Sequence, residues 1–264
     1  MVDSKISIIT VCLNCEGLIE RTINSVIDQK YPSIQFIVID GGSSDGTLDV
    51  IKRYEDKIDV IISGKDNGIY DAMNKGLDYA TGDLIYFLNA GDYLHDSDVC
   101  KNIFENMIDS VEYDIMYGDY VYYDNNATKQ CSGYRADIPD LLCKGYCHQT
   151  IFAKRSVFLK CGKFNTDYRI YADFDWLLRA LIKYKQKMKY IGIPVVYYLK
   201  GGVSETNSDN YYFERVEVIR RNLNIAELLF FAISYPSAFY VFLKSLKAGR
   251  KQLGFRDRSQ SLRQ

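Results

Sequence analysis

The chain of 264 residues is predicted to adopt an α/β fold, with a mostly parallel central sheet and helices on both faces. Three observations predict this class. Short apolar runs rich in β-branched residues alternate with segments of helical periodicity from residue 6 to residue 88. Acidic and amide side chains directly follow these runs, and a hydrophobic content of 47% suffices for one substantial core. A small antiparallel segment and a helical C-terminal extension complete the prediction.

The first half of the chain contains the alternating elements. Four apolar runs are short enough to be buried strands, namely residues 6–13, 34–39, 60–62 and 84–88. The segments between them place apolar residues at helical spacing and follow turn-forming residues, so helices are predicted at 16–29, 48–54 and 70–80. Strands that alternate with helices in this way normally pair in parallel.

The pattern changes after Asp92. The second half is predicted to contain helices at 99–108 and 176–184, strands at 115–118 and 195–199, a hairpin of 120–123 with 128–131, and a polar loop at 200–208. We therefore expect one catalytic domain over residues 1–210 and an extension over residues 211–264.

Charge and cysteine content restrict the class of protein. The 33 basic residues nearly balance the 34 acidic ones, so no whole-chain field favours nucleic acid. The N-terminus lacks a signal-peptide layout, and seven cysteines fit a reducing cytoplasm better than a disulfide framework. Cys12 and Cys15 form a C-x-x-C, and Cys143 and Cys147 lie near His148, so zinc binding is an alternative.

Four loops after predicted strands concentrate acids and amides. They contain Asn14 and Glu16, Asp40, the stretch 65–68, and the stretch 89–92. In a parallel sheet these loops open on one edge, where ligands bind. Neither a P-loop nor a G-x-G-x-x-G motif is present, which weakens kinase and dinucleotide interpretations.

The motifs resemble those of family 2 glycosyltransferases of the GT-A fold, of the type that builds bacterial O-antigen, capsule or colanic-acid-like polysaccharides. The matching segments are residues 7–14 (SIITVCLN), 25–29 with 31–32, 37–47 (IVIDGGSSDGT), 66–76 (DNGIYDAMNKG), 80–83 and 88–92 (LNAGD). The resemblance is nearly continuous to about residue 95 and scattered to about residue 205. It implies transfer of a sugar from a nucleoside diphosphate, with residues 1–95 as the half that binds the nucleotide-sugar and residues 96–210 as the half that binds the acceptor.

The resemblance also implies site residues. The side chains implied to bind the nucleotide-sugar are Thr10, Asn14, Glu16, Asp40, Gly41, Asp66, Asn74, Lys75, Asn89 and Asp92. Asp40 would accept a hydrogen bond from the base. Asp92 would bind a divalent cation, Mg²⁺ or Mn²⁺, that neutralises the leaving diphosphate. Asn89 departs from the acid that many members carry at this position.

A second acidic motif, residues 171–179 (YADFDWLLR), resembles the segment that supplies the catalytic base. The alignment places Asp173 as the base, with Ala172 in place of the usual Glu. Asp175 is the alternative, although a helix pair with Arg179 would equally explain it. His148, Gln149 and Arg179 are expected near the donor or acceptor, while a structural role for His148 stays open.

The C-terminal region combines an apolar segment, residues 228–243, with seven basic residues between 244 and 264. Sixteen residues with a central proline are too few for a spanning helix. We expect an interfacial element at an anionic membrane surface, on the inner face of the cell membrane; packing against the catalytic domain is the alternative.

The expected function is therefore an inverting transfer from a nucleoside-diphosphate sugar, with UDP as the nucleotide, to a saccharide hydroxyl. The resemblance suggests an acceptor linked to polyprenyl diphosphate. A sugar-1-phosphate nucleotidyltransferase and a non-catalytic nucleotide-sugar-binding protein are the alternatives.

Overall fold

The computed structural model describes residues 4–124, 127–131, 141–142, 146–201, 208–234, 236 and 240. Within them, nine strands form a single sheet. The strands are β1 (Ile6–Cys12), β2 (Ile34–Asp40), β3 (Val60–Ser63), β4 (Leu84–Phe87), β5 (Tyr93–Leu94), β6 (Ile115–Asp124), β7 (Ala127–Cys131), β8 (Ile151–Lys154) and β9 (Met188–Leu199). Their order is β3-β2-β1-β4-β8-β6-β9-β5, and β7 pairs with β6.

The strand directions confirm a mostly parallel sheet. Strands β1 to β4 pair in parallel with one another, and β6 pairs in parallel with β9. Strand β8 is antiparallel to both β4 and β6, so β4 and β6 run in the same direction. Strands β5 and β7 are also antiparallel to their neighbours. Six strands thus share one direction, and the predicted hairpin is the pair β6 and β7.

Eight helices of six residues or more pack on or beside the sheet in the described residues. They are α1 (Ile19–Ile27), α2 (Thr47–Lys52), α3 (Ile69–Tyr79), α4 (Val99–Ile108), α5 (Arg155–Cys161), α6 (Ala172–Leu178), α7 (Ser208–Asn222) and α8 (Ile225–Ser234). A π-helical turn, Arg179–Lys183, continues α6.

The two faces of the sheet bury different side chains because successive residues of a strand point to opposite sides. Ile9 and Ile37 belong to the cluster on the face of α3 and α6, whereas Ile8 and Phe36 belong to the cluster that contains α1 and α4. The apolar runs are buried on both sides, which explains why they read as continuous rather than alternating patterns.

Several boundaries differ from the prediction. Helix α6 begins at Ala172 rather than near Trp176, so Asp173 and Asp175 lie in its first turn. Strand β6 is one continuous strand, with a register shift against β9 between Tyr117 and Tyr120. Helix α7 spans residue 210 and buries Val218 in the core. The domain boundary proposed at 210 thus falls within a helix and stays a prediction.

The close packing around Gly82 leads to a stability prediction. A Cβ atom at this position would lie 2.6 Å from the Ser7 nitrogen and 2.7 Å from the Lys5 oxygen. Because these are backbone atoms of strand β1 and its entry, we expect Gly82→Ala to lower the free energy of unfolding by about 1–3 kcal/mol. Urea unfolding measures this change. Gly17→Ala, where a Cβ meets nothing within 4 Å, is the control, and equal losses in both variants would contradict the prediction.

Candidate active site

A cavity of about 890 Å³ opens where several strands end. Residues that follow β1, β4 and β9 line it, which is the edge predicted from the sequence. The lining residues that bear on the chemistry are Asn14, Tyr70, Asn89, Asp92, His148, Gln149 and Asp173. Asp173, which lies 84 positions after Asn89 and 81 positions after Asp92 in the sequence, therefore shares one space with both.

Asp173 lies at the wall of this cavity with 18% of its side chain exposed. Three groups contact its carboxylate: the Tyr70 hydroxyl at 3.0 Å, the Phe174 backbone N–H at 2.8 Å and His148 Nδ1 at 2.8 Å. The Tyr70 hydroxyl also lies 2.5 Å from the Ile170 carbonyl, so its one proton is shared between the two acceptors. Burial raises the pKa of Tyr70, as does the neighbouring carboxylate, so this phenol stays protonated and serves as a donor. The carboxylate is thus oriented and still reachable from the cavity.

His148 connects Asp173 to Asn89. The Asn89 Nδ2 amide group lies 3.2 Å from His148 Nε2, and an amide N–H donates to that nitrogen when His148 carries its proton on Nδ1. Nδ1 then donates to Asp173. An Asp at position 89 would have no N–H to donate to Nε2, so Asn suits this hydrogen-bond arrangement. The presence of an amide instead of the usual acid at position 89 is therefore matched by the acceptor nitrogen of His148.

Asp92 is buried, with 5% exposure, beside the same cavity. The Leu199 backbone N–H donates to Oδ1 at 2.9 Å, and Gln149 Nε2 donates to Oδ2 at 3.1 Å. Burial raises the pKa of Asp92 to about 7, while these two hydrogen bonds act in the opposite direction. Its charge is incompletely compensated by the protein alone, which is a suitable environment for a cation.

Asp40 lies at the end of β2 and is fully buried. Its carboxylate accepts hydrogen bonds from the backbone of Gly42 and Ser43 and from the hydroxyl groups of Ser43 and Ser63. These contacts shape the loop after β2 and tie it to β3. The direct contact between Asp40 and a base stays a prediction, since the structure engages both oxygen atoms within the loop.

The loops after β1 and β2 are joined to each other. Asn14, in the left-handed region at φ 49°, donates its N–H to Ser43 Oγ and accepts from the Ser44 N–H, both at 2.8 Å. Glu16 accepts from the Gly46 N–H at 3.2 Å. Thr10 Oγ1, within β1, is buried without a hydrogen-bond partner in the described part of the chain. Of these residues only Asn14 lines the cavity.

The remaining residues predicted to bind the nucleotide contact neighbouring segments of the protein and stabilise their positions. The Asp66 carboxylate packs directly on Gly41, where a side chain would collide with it. Asn74 exchanges two hydrogen bonds with the backbone of Phe164, at 2.9 and 3.0 Å. Lys75 contacts the Lys65 carbonyl and pairs with Asp71. None of these predicted residues lines the cavity, and their contacts with a nucleotide stay predictions.

Asp175 and Arg179 form an ion pair away from the cavity lining. Arg179 Nε lies 2.8 Å from Asp175 Oδ2, and Asn222 Nδ2 donates to Oδ1 at 2.9 Å. Arg179 also donates to the carbonyl groups of Cys161 and Lys163. Both side chains are engaged in holding α5, α6 and α7 together. Between the two candidate bases, only Asp173 lines the cavity.

Removing Asp175 is expected to destabilise the fold. The side chains of Asp175 and Arg179 are 8% and 19% exposed, so Asp175→Ala leaves a largely buried guanidinium unpaired. We expect a loss of about 3–5 kcal/mol in the free energy of unfolding. Chemical unfolding measures it, with Asp49→Ala as the control because Asp49 pairs with Lys52 at the surface. A loss no larger than the control's would contradict the prediction.

Two residues of the site were missed by the sequence-based prediction. Tyr70 lies inside the 66–76 motif, and its reach to Asp173 depends on the packing of α3 against α6. Glu214 of α7 accepts from three successive N–H groups, those of Arg169, Ile170 and Tyr171, at 2.8–3.2 Å. It thereby fixes the segment that precedes Asp173. No local pattern marks either role, because both depend on contacts between distant segments.

The zinc alternative gains no support from the described residues. Among them, no three His, Cys, Asp or Glu side chains gather in an arrangement that would hold a metal ion. Cys12 and Cys15 are free thiols. A hydrogen bond to Cys15 and burial raise the pKa of Cys12, and that bond lowers the pKa of Cys15. Cys143 lies outside the described residues.

Comparison with known proteins identifies the family. The model of "Glycosyl transferase family 2" matches residues 7–160, more than half of the chain. The PGL/p-HBAD biosynthesis glycosyltransferase of Mycobacterium bovis is 31% identical over 220 residues, which cover 81% of this chain and 85% of that protein. The putative teichuronic acid biosynthesis glycosyltransferase TuaG of Bacillus subtilis is 37% identical over 90 residues, covering 33% of this chain and 36% of that protein.

Two solved structures share the fold. Staphylococcus aureus TarS 1–349 in complex with UDP matches with a TM-score of 0.65 and 18% identity, covering 84% of this chain and 68% of that one. The mannosyltransferase PcManGT of Pyrobaculum calidifontis, in complex with GDP-Man and Mn²⁺, matches with a TM-score of 0.63 and 15% identity, covering 98% and 80%. The GT-A fold and the extent of the family match agree, and the chain belongs to glycosyl transferase family 2.

Proposed function

We propose that the protein is an inverting glycosyltransferase of cell-surface glycan synthesis, which uses a UDP-sugar and a lipid-linked saccharide acceptor. The observation that carries the proposal is the placement of Asp173 in one cavity with Asn89 and Asp92. A base on one side and a diphosphate-binding edge on the other are what a direct displacement requires. Relatives named for PGL and teichuronic acid synthesis support the glycan class, and the TarS complex supports UDP.

The chemical step is a single displacement. Asp173 takes the proton of the acceptor hydroxyl, whose oxygen attacks the anomeric carbon. The new carbon–oxygen bond forms as the bond to the diphosphate breaks, and that electron pair leaves on the diphosphate oxygen. Attack opposite the leaving group inverts the configuration. Tyr70, His148 and the Phe174 N–H keep the carboxylate aimed at the acceptor during this step.

The residues at the donor edge fit a divalent cation. Asn89 Oδ1 is buried and accepts no hydrogen bond from the described residues, so it offers an uncommitted oxygen. Asp92 supplies a carboxylate in the same cavity. Hard cations such as Mg²⁺ and Mn²⁺ bind such oxygen atoms together with phosphate oxygens. When bound, the cation would neutralise the charge of the leaving nucleoside diphosphate.

A donor screen tests the proposed function. Purified full-length protein is incubated with UDP- and GDP-sugars and a lipid-linked sugar, with Mn²⁺ or with EDTA, and nucleoside diphosphate release is measured. We expect release from a UDP-sugar that EDTA suppresses and that depends on Asp173. Binding of a nucleotide-sugar without any turnover, across the screen, would favour a non-catalytic binding protein instead.

We also propose that helix α8 contacts an anionic membrane surface. No helix of the described residues is long and apolar enough to cross a membrane. Yet α8 exposes Ile225, Leu229, Phe230 and Ile233, which stand at positions i, i+4, i+5 and i+8 and are each 58–80% exposed. The basic residues from 244 onward, which lie outside the described residues, follow this face in the sequence. Apolar and cationic groups together favour an anionic lipid interface.

Vesicle binding tests this surface. The double variant Phe230→Ser/Ile233→Ser should sediment with phosphatidylglycerol vesicles at least about tenfold more weakly than the wild type, since each apolar side chain contributes about 1.5–3 kcal/mol when buried. Leu159→Ser, at an exposed leucine of α5, is the control. Equal sedimentation of wild type and double variant would contradict the proposal.

A further inference from the structure

We propose that Arg169 and Arg215 form a subsite for an oxyanion, a phosphate or carboxylate group, on the sugar acceptor. The inference rests on the proposed transferase function and names a property of its second substrate. Both arginines line the cavity that contains Asp173, although they are 46 positions apart in the sequence.

Glu214 brings the two arginines together. Its carboxylate accepts from the N–H groups of residues 169, 170 and 171, so the beginning of α7 is held against the segment that leads into α6. Arg169 belongs to that segment, and Arg215 follows Glu214 directly. Their placement beside one cavity therefore depends on a defined set of hydrogen bonds rather than on two independent surface side chains.

The charges of both guanidinium groups are available to a ligand. Arg215 is partly buried, donates Nη2 to the Leu142 carbonyl at 2.6 Å and lies 5.9 Å from the centre of the Phe174 ring. These neutral contacts anchor one end of the guanidinium. Among the described residues, no carboxylate forms an ion pair with Arg169 or Arg215. Arginines whose charge is not paired with a carboxylate are suited to bidentate binding of an oxyanion.

The position of the subsite indicates the acceptor rather than the donor. Arg169 and Arg215 come from the segments before and beside Asp173, the base that must meet the acceptor hydroxyl. The proposed diphosphate ligands, Asn89 and Asp92, come from the turn after β4. Lys200 also lines the cavity, but it follows Leu199, whose N–H holds Asp92, so we assign Lys200 to the donor side.

Two kinds of acceptor carry the required chemistry. A phosphate ester is present where a sugar is joined to a lipid carrier, and a carboxylate is present in an acidic sugar such as a uronic acid. Both are planar or tetrahedral oxyanions that accept two N–H groups at once. One probe of each kind distinguishes a phosphate from a carboxylate as the group that is bound.

Calorimetric titration in the presence of saturating UDP and Mn²⁺ tests the subsite. The probes are citronellyl diphosphate and glucuronic acid, compared with citronellol and glucose as neutral counterparts. Wild-type protein should bind one of the two anions at least about tenfold more tightly than its neutral counterpart. The double variant Arg169→Gln/Arg215→Gln should lose this preference, with a decrease of about ten- to a hundredfold in affinity for that anion.

Arg220→Gln is the matched control, because Arg220 lies on the same helix, is exposed and pairs with Glu217. It should bind the anion as the wild type does. Any one of three results would overturn the subsite. These are unchanged anion binding in the double variant, no preference for either anion in the wild type, and displacement of UDP by the probe. Arg215→Lys, which keeps the charge but loses the paired N–H groups of the guanidinium, replaces the double variant if that protein melts early and should show a smaller loss in the same direction. Failure of wild-type protein to bind any UDP- or GDP-sugar would instead contradict the proposed function.

Discussion

Asp173→Asn is expected to reduce sugar transfer by about 10²–10⁴-fold, the range associated with loss of a general base. The amide is nearly isosteric with the carboxylate and retains an oxygen for the Tyr70 hydroxyl and the Phe174 N–H, so the fold should persist. The turnover number should fall while the affinity for nucleoside diphosphate changes little, because Asp173 acts on the acceptor hydroxyl. Steady-state rates and calorimetric UDP binding measure the two quantities.

Asp175→Asn is the matched control for this experiment. Asp175 lies two residues away in the same helical turn, but its oxygen atoms bind Arg179 and Asn222. Its replacement should lower thermal stability and leave the turnover number of the folded protein within about threefold of the wild type. If Asp173→Asn kept wild-type turnover, or if Asp175→Asn caused the larger catalytic loss, the assignment of the base would be wrong.

Asp92→Asn is expected to have the second-largest effect, a loss of at least about a hundredfold in turnover. A cation at a developing phosphate charge contributes several kcal/mol, and each 1.36 kcal/mol corresponds to about a factor of ten. The substitution keeps an oxygen for the Leu199 N–H, and the Gln149 amide can turn to accept from the new side-chain NH₂. The local fold is therefore preserved while one anionic ligand is removed.

The decisive readout for Asp92 is the effect of Mn²⁺ on UDP affinity. In the wild type, Mn²⁺ should strengthen UDP binding, and in Asp92→Asn this enhancement should be largely lost. Asp98→Asn, at a half-buried acid that pairs with Lys30, should behave like the wild type. An undiminished Mn²⁺ enhancement in Asp92→Asn would show that this carboxylate does not serve the cation.

The parallel half of the fold could be predicted because its signals are local. Each of the strands β1 to β4 is an apolar run, and each loop after them contains turn-forming acids and glycines. Strand β8 escaped prediction. It has only four residues, and it is inserted between β4 and β6 by pairings with chain segments far from it in sequence. Its position determines where His148 and Gln149 lie relative to Asn89 and Asp92.

The sequence predicted the position of a candidate site residue best where that residue directly follows a strand. Asp92 lies where its motif indicated, since the loop after β4 opens on the cavity. Asn74 follows an equally recognisable motif, yet both ends of its amide bind the backbone of Phe164. Tyr70, Glu214 and the N–H of Leu199 form contacts across 43 to 107 positions of the chain. Such contacts depend on tertiary packing, which no local motif encodes.

The anomeric configuration of the first product tests the central claim, direct displacement assisted by Asp173, most directly. Proton NMR at early times can follow the transfer of an α-linked sugar from the UDP donor identified in the screen, either to the acceptor or slowly to water. The expected product is the β anomer, formed by wild-type protein and strongly reduced with Asp173→Asn. Formation of the α anomer as the first product would contradict a single displacement and the role assigned to Asp173.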